Sequence, residues 1–326
     1  MKIFSFPHVV IYELMEQFRP VELVALSFCS AKAQSFVKTF SKITEDLEIR
    51  SSKEYAYGIG FPSGVLIRVA LEKDRSLDHS EGEAHQDFKY SFDKLGCFYT
   101  YWEDVVQGCR ESINYICDLF KVPVATVSIL HDADRWLLDF AQKRQEQKLK
   151  KVIALEKFHV SAEDFSKLIS SNATEFLDCW AKPPRDYRFD GKMPSVKTLR
   201  IKYGSWIARK HVLGLQSQNT ALYTPEITVS DVNVLLKSWW DGGLPNLRSL
   251  CLGKIKLNDQ TNDDLVYRLE RVQEEVYYKW DRVAPDISFN TNAFHIRRDD
   301  GVVATVQIWM RSFWMVVWPD LNGKCV

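Results

Sequence analysis

Several stretches of this chain bring together side chains of the kinds that do chemistry. The first is His131-Asp132-Ala133-Asp134, which follows an apolar run. A histidine beside two carboxylates at a strand end is raw material for general acid–base catalysis, and strand ends in α/β layers carry such groups. The same residues can open a helix, with Asp132 or Asp134 as its cap and an acidic first turn. Trp136, Leu137, Phe140 and Ala141 follow at helical spacing, and this capping reading is the one adopted. His79 and His85 lie among Asp78, Glu81, Glu83 and Asp87. These are metal-ligand types, but no spacing fixes a geometry, and 73–89 reads as a solvated loop. Gly58, Gly60 and Gly64 fit neither GxGxxG nor a P-loop, and Pro62-Ser63-Gly64 reads as a turn. The seven cysteines (29, 97, 109, 117, 179, 251 and 325) form no CxxC and no zinc spacing. They read as buried or free thiols of a reducing compartment. The sequence has no GxSxG, HExxH or catalytic-cysteine signature. No catalytic residue, metal or cofactor is assigned; an enzyme of unrecognised type would have to use His131, Asp132 and Asp134.

Composition narrows the partners. The 326 residues carry 43 basic and 43 acidic side chains, so the total offers no footprint for nucleic acid or an anionic membrane. The basic run Lys143, Arg144, Lys148, Lys150 and Lys151 is interrupted by Glu146 and reads as a solvated helix end. Pro7, His8 and Glu13 break the N-terminal apolar run, and no apolar window is long enough to span a membrane. A protein of the cytoplasm or nucleus is expected, with one large domain and a small one.

The elements that position these residues follow from periodicity. Val10, Ile11, Leu14, Met15 and Phe18 form an apolar stripe on a first helix. Arg19-Pro20 stops it, and Pro20 opens a second helix with Glu22 in its first turn. Ala33, Phe36, Val37 and Phe40 mark a third. Three helices in so short a stretch bury little core alone. They are either an apolar hook for a groove or the first layer of a larger core. Residues 41–52 read as a polar linker and 53–72 as two strands. A helix is expected from about Glu103 to Phe120. From there a pattern of apolar-x-x-apolar-x-apolar recurs at Val124, Leu155, Val196 and Leu247. Ser161 caps a helix after the second copy and Ser230 caps one before the fourth, the latter ending at Gly242-Gly243. Phe294 to Met310 alternates around Asp300-Gly301 as a hairpin, with Phe313, Met315 and Val317 as a third strand.

The N-terminal residues resemble an F-box. Phe6-Pro7 resembles its opening Leu-Pro, Leu14 and Phe18 stand at apolar positions of its first helix, and Pro20, Leu23, Leu26, Ser27 and Phe28 match the run that follows. The chain departs from the family where Val-Cys and a late Trp are usual, having Cys29-Ser30 and Ala33, with Phe36 the candidate replacement. The resemblance implies docking onto the Skp-type adaptor of a cullin-RING (SCF) ubiquitin ligase through Pro7, Ile11, Leu14, Phe18, Pro20, Leu23, Leu26, Ser27 and Phe28. The recurring strand motif resembles the leucine-rich repeat. YICDLFKVP, LKSWWDGGLPNLRSLCL and FHIRRDDGVVATV are similar to the second type of F-box associated domain of the large nematode F-box families. The expected fold is α/β: a three-helix F-box at 1–45, then an irregular leucine-rich-repeat-like layer over 46–326 capped by an antiparallel sheet. The family implies recruitment of a protein substrate. Trp239 and Trp240, adjacent on a helix, and Trp314 and Trp318 on the last sheet are the candidate contacts, although a core position is the commoner fate of a tryptophan.

Overall fold

The structure is a computed structural model that describes residues 6–53, 56–71, 80–83, 89–92, 97–155, 160–256, 269–278 and 287–318. Tyr55, His79, His85, Phe158 and Cys325, and with them most of the 73–89 loop, lie outside the described residues. The chain is mixed α/β and divides into two compact units, Met1–Leu149 and Lys150–Val326.

The first unit opens with three short helices: α1 (His8–Glu16), α2 (Pro20–Phe28) and α3 (Ala31–Phe40). Pro20 stands at the first position of α2. The Arg19 backbone N–H donates to the Glu22 carboxylate at 2.8 Å, so an otherwise orphaned donor at the helix start is satisfied. Ser30 caps α3 by accepting from the Ala33 N–H at 3.1 Å. Strand β1 (Leu47–Ser51) follows, where a polar linker was expected. Leu47 and Ile49 are fully buried while the residues between and after them are partly or wholly exposed, so the strand has period two with charged outward positions. β2 (Tyr57–Phe61) and β3 (Gly64–Leu71) form the expected hairpin. β4 (Ser80–Glu83), β5 (Lys89–Phe92) and β6 (Phe98–Trp102) were not foreseen. α4 (Val105–Phe120) is capped by Asp104 and packs on β2, β3 and β6, ahead of β7 (Val124–Ile129). A β-carbon at Gly108 would collide with the Trp102 ring, so glycine is what lets α4 approach β6 this closely. The strand order is β7-β1-β2-β3-β6-β5-β4, with β1–β7 and β3–β6 parallel and the other pairs antiparallel.

After β7 the chain makes a 3-10 turn (Asp132–Arg135) into α5 (Trp136–Arg144). The expected aspartate cap is corrected here. Arg135 stands at the cap of α5 and His131 at the cap of the 3-10 turn, neither with a capping side-chain bond, and both aspartates lie inside the turn.

The second unit is built on five parallel strands in chain order: β8 (Lys151–Ala154), β9 (Phe176–Cys179), β10 (Thr198–Ile201), β11 (Asn219–Tyr223) and β12 (Ser249–Gly253). α6 (Ala162–Ile169) joins β8 to β9, α7 (Arg209–Leu213) joins β10 to β11, and α8 (Val229–Trp240) joins β11 to β12. Such crossovers are what parallel pairing requires. The strand expected from Leu155 lies earlier, and Leu155 is exposed. β9 and β11 were missed. Ser161 caps α6 as expected, accepting from the Asp164 N–H at 3.1 Å. The cap of α8 lies two residues before the expected one: Thr228, not Ser230, accepts from the Asp231 N–H, and the Asp231 carboxylate in turn accepts from the Thr228 N–H. Gly242, at φ +88°, follows the end of α8.

β13 (Glu270–Arg271), β16 (Phe294–Arg297), β17 (Val303–Trp309) and β18 (Ser312–Val317) complete this sheet, which runs β13-β16-β17-β18-β12 onward with those four antiparallel. β14 (Val276–Tyr278) and β15 (Ile287–Phe289) form a separate hairpin. On one side of the sheet Ala221, Cys251, Val316 and Trp318 share an apolar cluster with Val272, Phe289 and Ala293. On the other, Leu199, Ile201, Leu222, Leu250 and Leu252 are buried.

Candidate interaction surfaces

The helical module carries two stripes where the sequence reading drew one. Ile11 and Met15 are 2% exposed and face inward, whereas Val10 is 47% exposed and Leu14 and Phe18 are half-buried. Residues four apart lie one above the other on a helix, so Val10 and Leu14 form an accessible stripe beside the buried one. Pro7 is exposed a turn before Val10, and Phe6, Val9 and Tyr12 extend the apolar surface. Tyr12 also packs edge-on against Phe40, 5.2 Å between centroids, which ties α1 to α3.

The second helix is seated differently. Leu23, Ser27 and Phe28 are buried, while Pro20 and Leu26 remain partly accessible. The Phe28 ring meets Phe98 at 5.2 Å and Tyr115 at 5.3 Å, and the Ser27 hydroxyl shares a hydrogen bond of 2.6 Å with the Tyr115 hydroxyl. Burial pushes the Tyr115 phenol up to about 12. Of the nine residues assigned to adaptor docking, Ile11 and Leu23 are therefore buried, and Ser27 and Phe28 tie α2 to β6 and α4. Pro7, Leu14, Phe18, Pro20 and Leu26 keep surface that a partner can reach.

Asp132 and Asp134, the carboxylates of the candidate trio with His131, are engaged by different partners. Asp134 is buried and accepts from the Tyr57 hydroxyl at 2.9 Å, and that hydroxyl in turn accepts from the Trp136 indole N–H at 3.2 Å. Asp132 instead pairs with Arg135 at 2.8 Å. The two carboxylates are thus spent on different structural bonds. The described thiols are free of disulfides. Cys109, Cys117, Cys179 and Cys251 are buried, and burial raises all four, Cys117 to about 11 and the last two to about 12. A thiol so protonated is a poor nucleophile. Among the described residues no cluster of three or more histidine, cysteine and acidic side chains is placed to hold a metal ion. No helix of the described residues is long and apolar enough to cross a membrane.

In the second unit the candidate tryptophans part company. Trp239 (1% exposed) and Trp318 (3%) are core residues; the Trp318 indole N–H donates to the Thr305 hydroxyl at 2.6 Å. Trp240 and Trp314 are half-buried. A more organised surface lies where the sequence reading did not look, at the carboxyl ends of the parallel strands. Asp178 of β9 is 2% exposed and takes two bonds from Arg200 of β10, at 2.9 and 2.6 Å, in register across the strand pair. Trp180, two residues on, donates its indole N–H to Asp178 at 2.8 Å. Lys202, two residues past Arg200, has its ammonium 5.0 Å from the Trp180 ring and 4.5 Å from the Tyr223 ring. Side chains two apart on a strand share a face, so this row of Trp180, Lys202 and Tyr223 follows from the register. The signal available in sequence was an aromatic or basic residue just past each strand, invisible while β9 and β11 went unrecognised.

Residues 191–252, which include β10, β11, α8 and most of β12, match a family described as F-box associated. No curated protein and no solved structure matches the chain.

Proposed function

We propose that this protein is a substrate-recruiting adaptor of an SCF-type ubiquitin ligase. The helical module, residues 1–45, docks on the Skp-type subunit, and residues 46–326 hold a protein substrate. The match of 191–252 to the F-box associated family supports a protein-interaction role. The observation that carries the ligase part is the accessible Val10–Leu14 stripe on a three-helix module preceding that stretch in the same chain. An exposed apolar surface of this kind marks an interaction site more often than an isolated exposed side chain does. Pro7, Val10, Leu14, Phe18, Pro20 and Leu26 make the contact, and Ile11, Leu23, Ser27 and Phe28 set the angles of the helices that present it. The mechanism is proximity: the adaptor raises the effective concentration of substrate near a ubiquitin-conjugating enzyme and does no bond-making itself.

The test is co-purification of the full chain with a Skp-type subunit, alongside Val10→Asp and Leu14→Asp. Val10 is exposed and Leu14 half-buried, so circular dichroism and thermal unfolding check that each variant is folded before capture is read. A complex that each variant loses supports the docking. A well-folded wild type that captures no Skp-type subunit removes it. That result would favour a second reading, a ligase-independent interaction module, which rests on the burial of Phe28 and Ser27 against Phe98 and Tyr115. In that reading the three helices are an ordinary layer of the first unit's core.

A further inference from the structure

The loops after β9, β10, β11 and β12 close around a pocket of about 140 Å³. Lys182, Arg185, Lys202 and Lys254 supply its charge, and no carboxylate lines it. Its remaining wall is stiff: three prolines, with Tyr203 and Tyr223. Nearby cations outside the lining are neutralised, Arg200 by Asp178 at 2.6 Å and Lys256 by Glu226 at 2.7 Å. Among the described residues, none of the four lining cations has a carboxylate partner. Four like charges around so small a space repel one another, and an anion relieves that repulsion.

The positions of two of these lysines are fixed by the backbone. Lys202 is held between the Trp180 and Tyr223 rings. Tyr223 lies over Gly253, where a β-carbon would come within 2.8 Å of its ring. Lys254, the next residue, has φ +64°, a left-handed conformation that disfavours side chains other than glycine. The chain carries a lysine at the pocket where glycine would fit the backbone better.

We infer that this pocket receives one anionic side chain, carboxylate or phosphate, from an extended acidic segment of a partner protein. The inference rests on reading residues 46–326 as the partner-holding part, and is independent of whether the helical module docks on a ligase. The volume admits a single side chain and is well below the roughly 300 Å³ at which pockets for whole small ligands begin. Single-stranded nucleic acid needs free aromatic faces for stacking, and here Lys202 occupies a face of both Trp180 and Tyr223. Proline and tyrosine walls beside the cations suit a peptide backbone laid across the strand ends.

The experiment uses the full chain and fluorescent degenerate peptide libraries: phosphoserine-centred, glutamate-centred, and a serine-centred neutral control. Inorganic phosphate, phosphatidylserine vesicles and single-stranded RNA are run beside them. Preferential binding of either acidic library is expected, and the comparison of the two identifies which anion is taken. Lys254→Gly, which suits the local backbone, and Arg185→Gln, at an exposed position, should each weaken it by about five- to tenfold, the size of a lost charge-assisted contact. Lys256→Gln, already paired outside the pocket, should leave it unchanged. Equal binding of the neutral library overturns the proposal. So does an equal loss in Lys254→Gly and Lys256→Gln, which would mean diffuse charge, and so does binding confined to vesicles, RNA or free phosphate. Capture of the Skp-type subunit reads the other module, so either proposal can fail alone.

Discussion

The helical module and the strand-end pocket are opposite kinds of surface. The first presents uncharged side chains, Val9, Val10 and Tyr12 among them, from a helix whose other stripe is buried. The second presents four cations between proline and tyrosine walls, with the nearby Asp178–Arg200 pair outside the lining already matched. In the proposed reading, removal of apolar surface from water would drive association at the first, with geometry set by a few anchors. Charge would drive it at the second, where salt must weaken it. A protein using both surfaces would hold one partner through changes of ionic strength while exchanging the other.

The contrast can be broken most forcefully at the ion pair beside the pocket. Arg200→Ala leaves Asp178 buried without its counter-charge and should destabilise the second unit by about 3–5 kcal/mol. Urea unfolding checks this, and a loss below about 1 kcal/mol would mean that the pair does not hold these strand ends. Phe28→Ala should cost a similar 3–5 kcal/mol in the first unit by opening a void against Phe98 and Tyr115. Val10→Ser, one helix away on the accessible stripe, should change stability by less than about 0.5 kcal/mol. If the two substitutions cost the same, the division into a buried and an accessible stripe is wrong.

Acidity offers a finer test. His211 is buried, donates from Nε2 to the Phe189 carbonyl at 2.8 Å and accepts at Nδ1 from the Ala208 N–H at 3.0 Å. This is a neutral imidazole, and burial lowers its pKa below the usual 6.5. The unfolded chain then binds the proton more readily, so the contribution is fully present above about pH 6.5 and is lost as pH falls through the lowered native value. The thermal midpoint of the second unit should drop over that window, and His211→Gln should flatten the profile. The smallest effect is on salt: going from about 0.05 to 0.5 M should weaken acidic-peptide binding severalfold and leave capture through Val10 and Leu14 nearly unchanged. Equal sensitivity would erase the distinction between the two surfaces.

Much of the architecture was legible because period and punctuation agreed. Pro20 and Ser161 mark helix starts by chemistry that acts locally, and the alternation from Phe294 to Val317 states its own pairing. β9 was hidden because Asp178 interrupts its apolar run, and the counter-charge that makes its burial tolerable, Arg200, comes from a different strand. β1 was hidden because Glu48 and Arg50 alternate with Leu47 and Ile49, which reads as polar when averaged over the stretch. The strand-end pocket combines residues from four loops, and its cations are unremarkable in sequence until register brings them together. Likewise, nothing in the spacing of Val10, Ile11, Leu14 and Met15 said which pair would face inward. That was decided by α3.

The two-residue strand β13 has a consequence for solubility. It ends the strand order of the second unit, and both its residues, Glu270 and Arg271, are charged and exposed. A sheet margin this short, with a charge at each position, offers an incoming chain almost no backbone ladder to extend. Copies of the protein crowded at high concentration therefore have little to polymerise on at that margin.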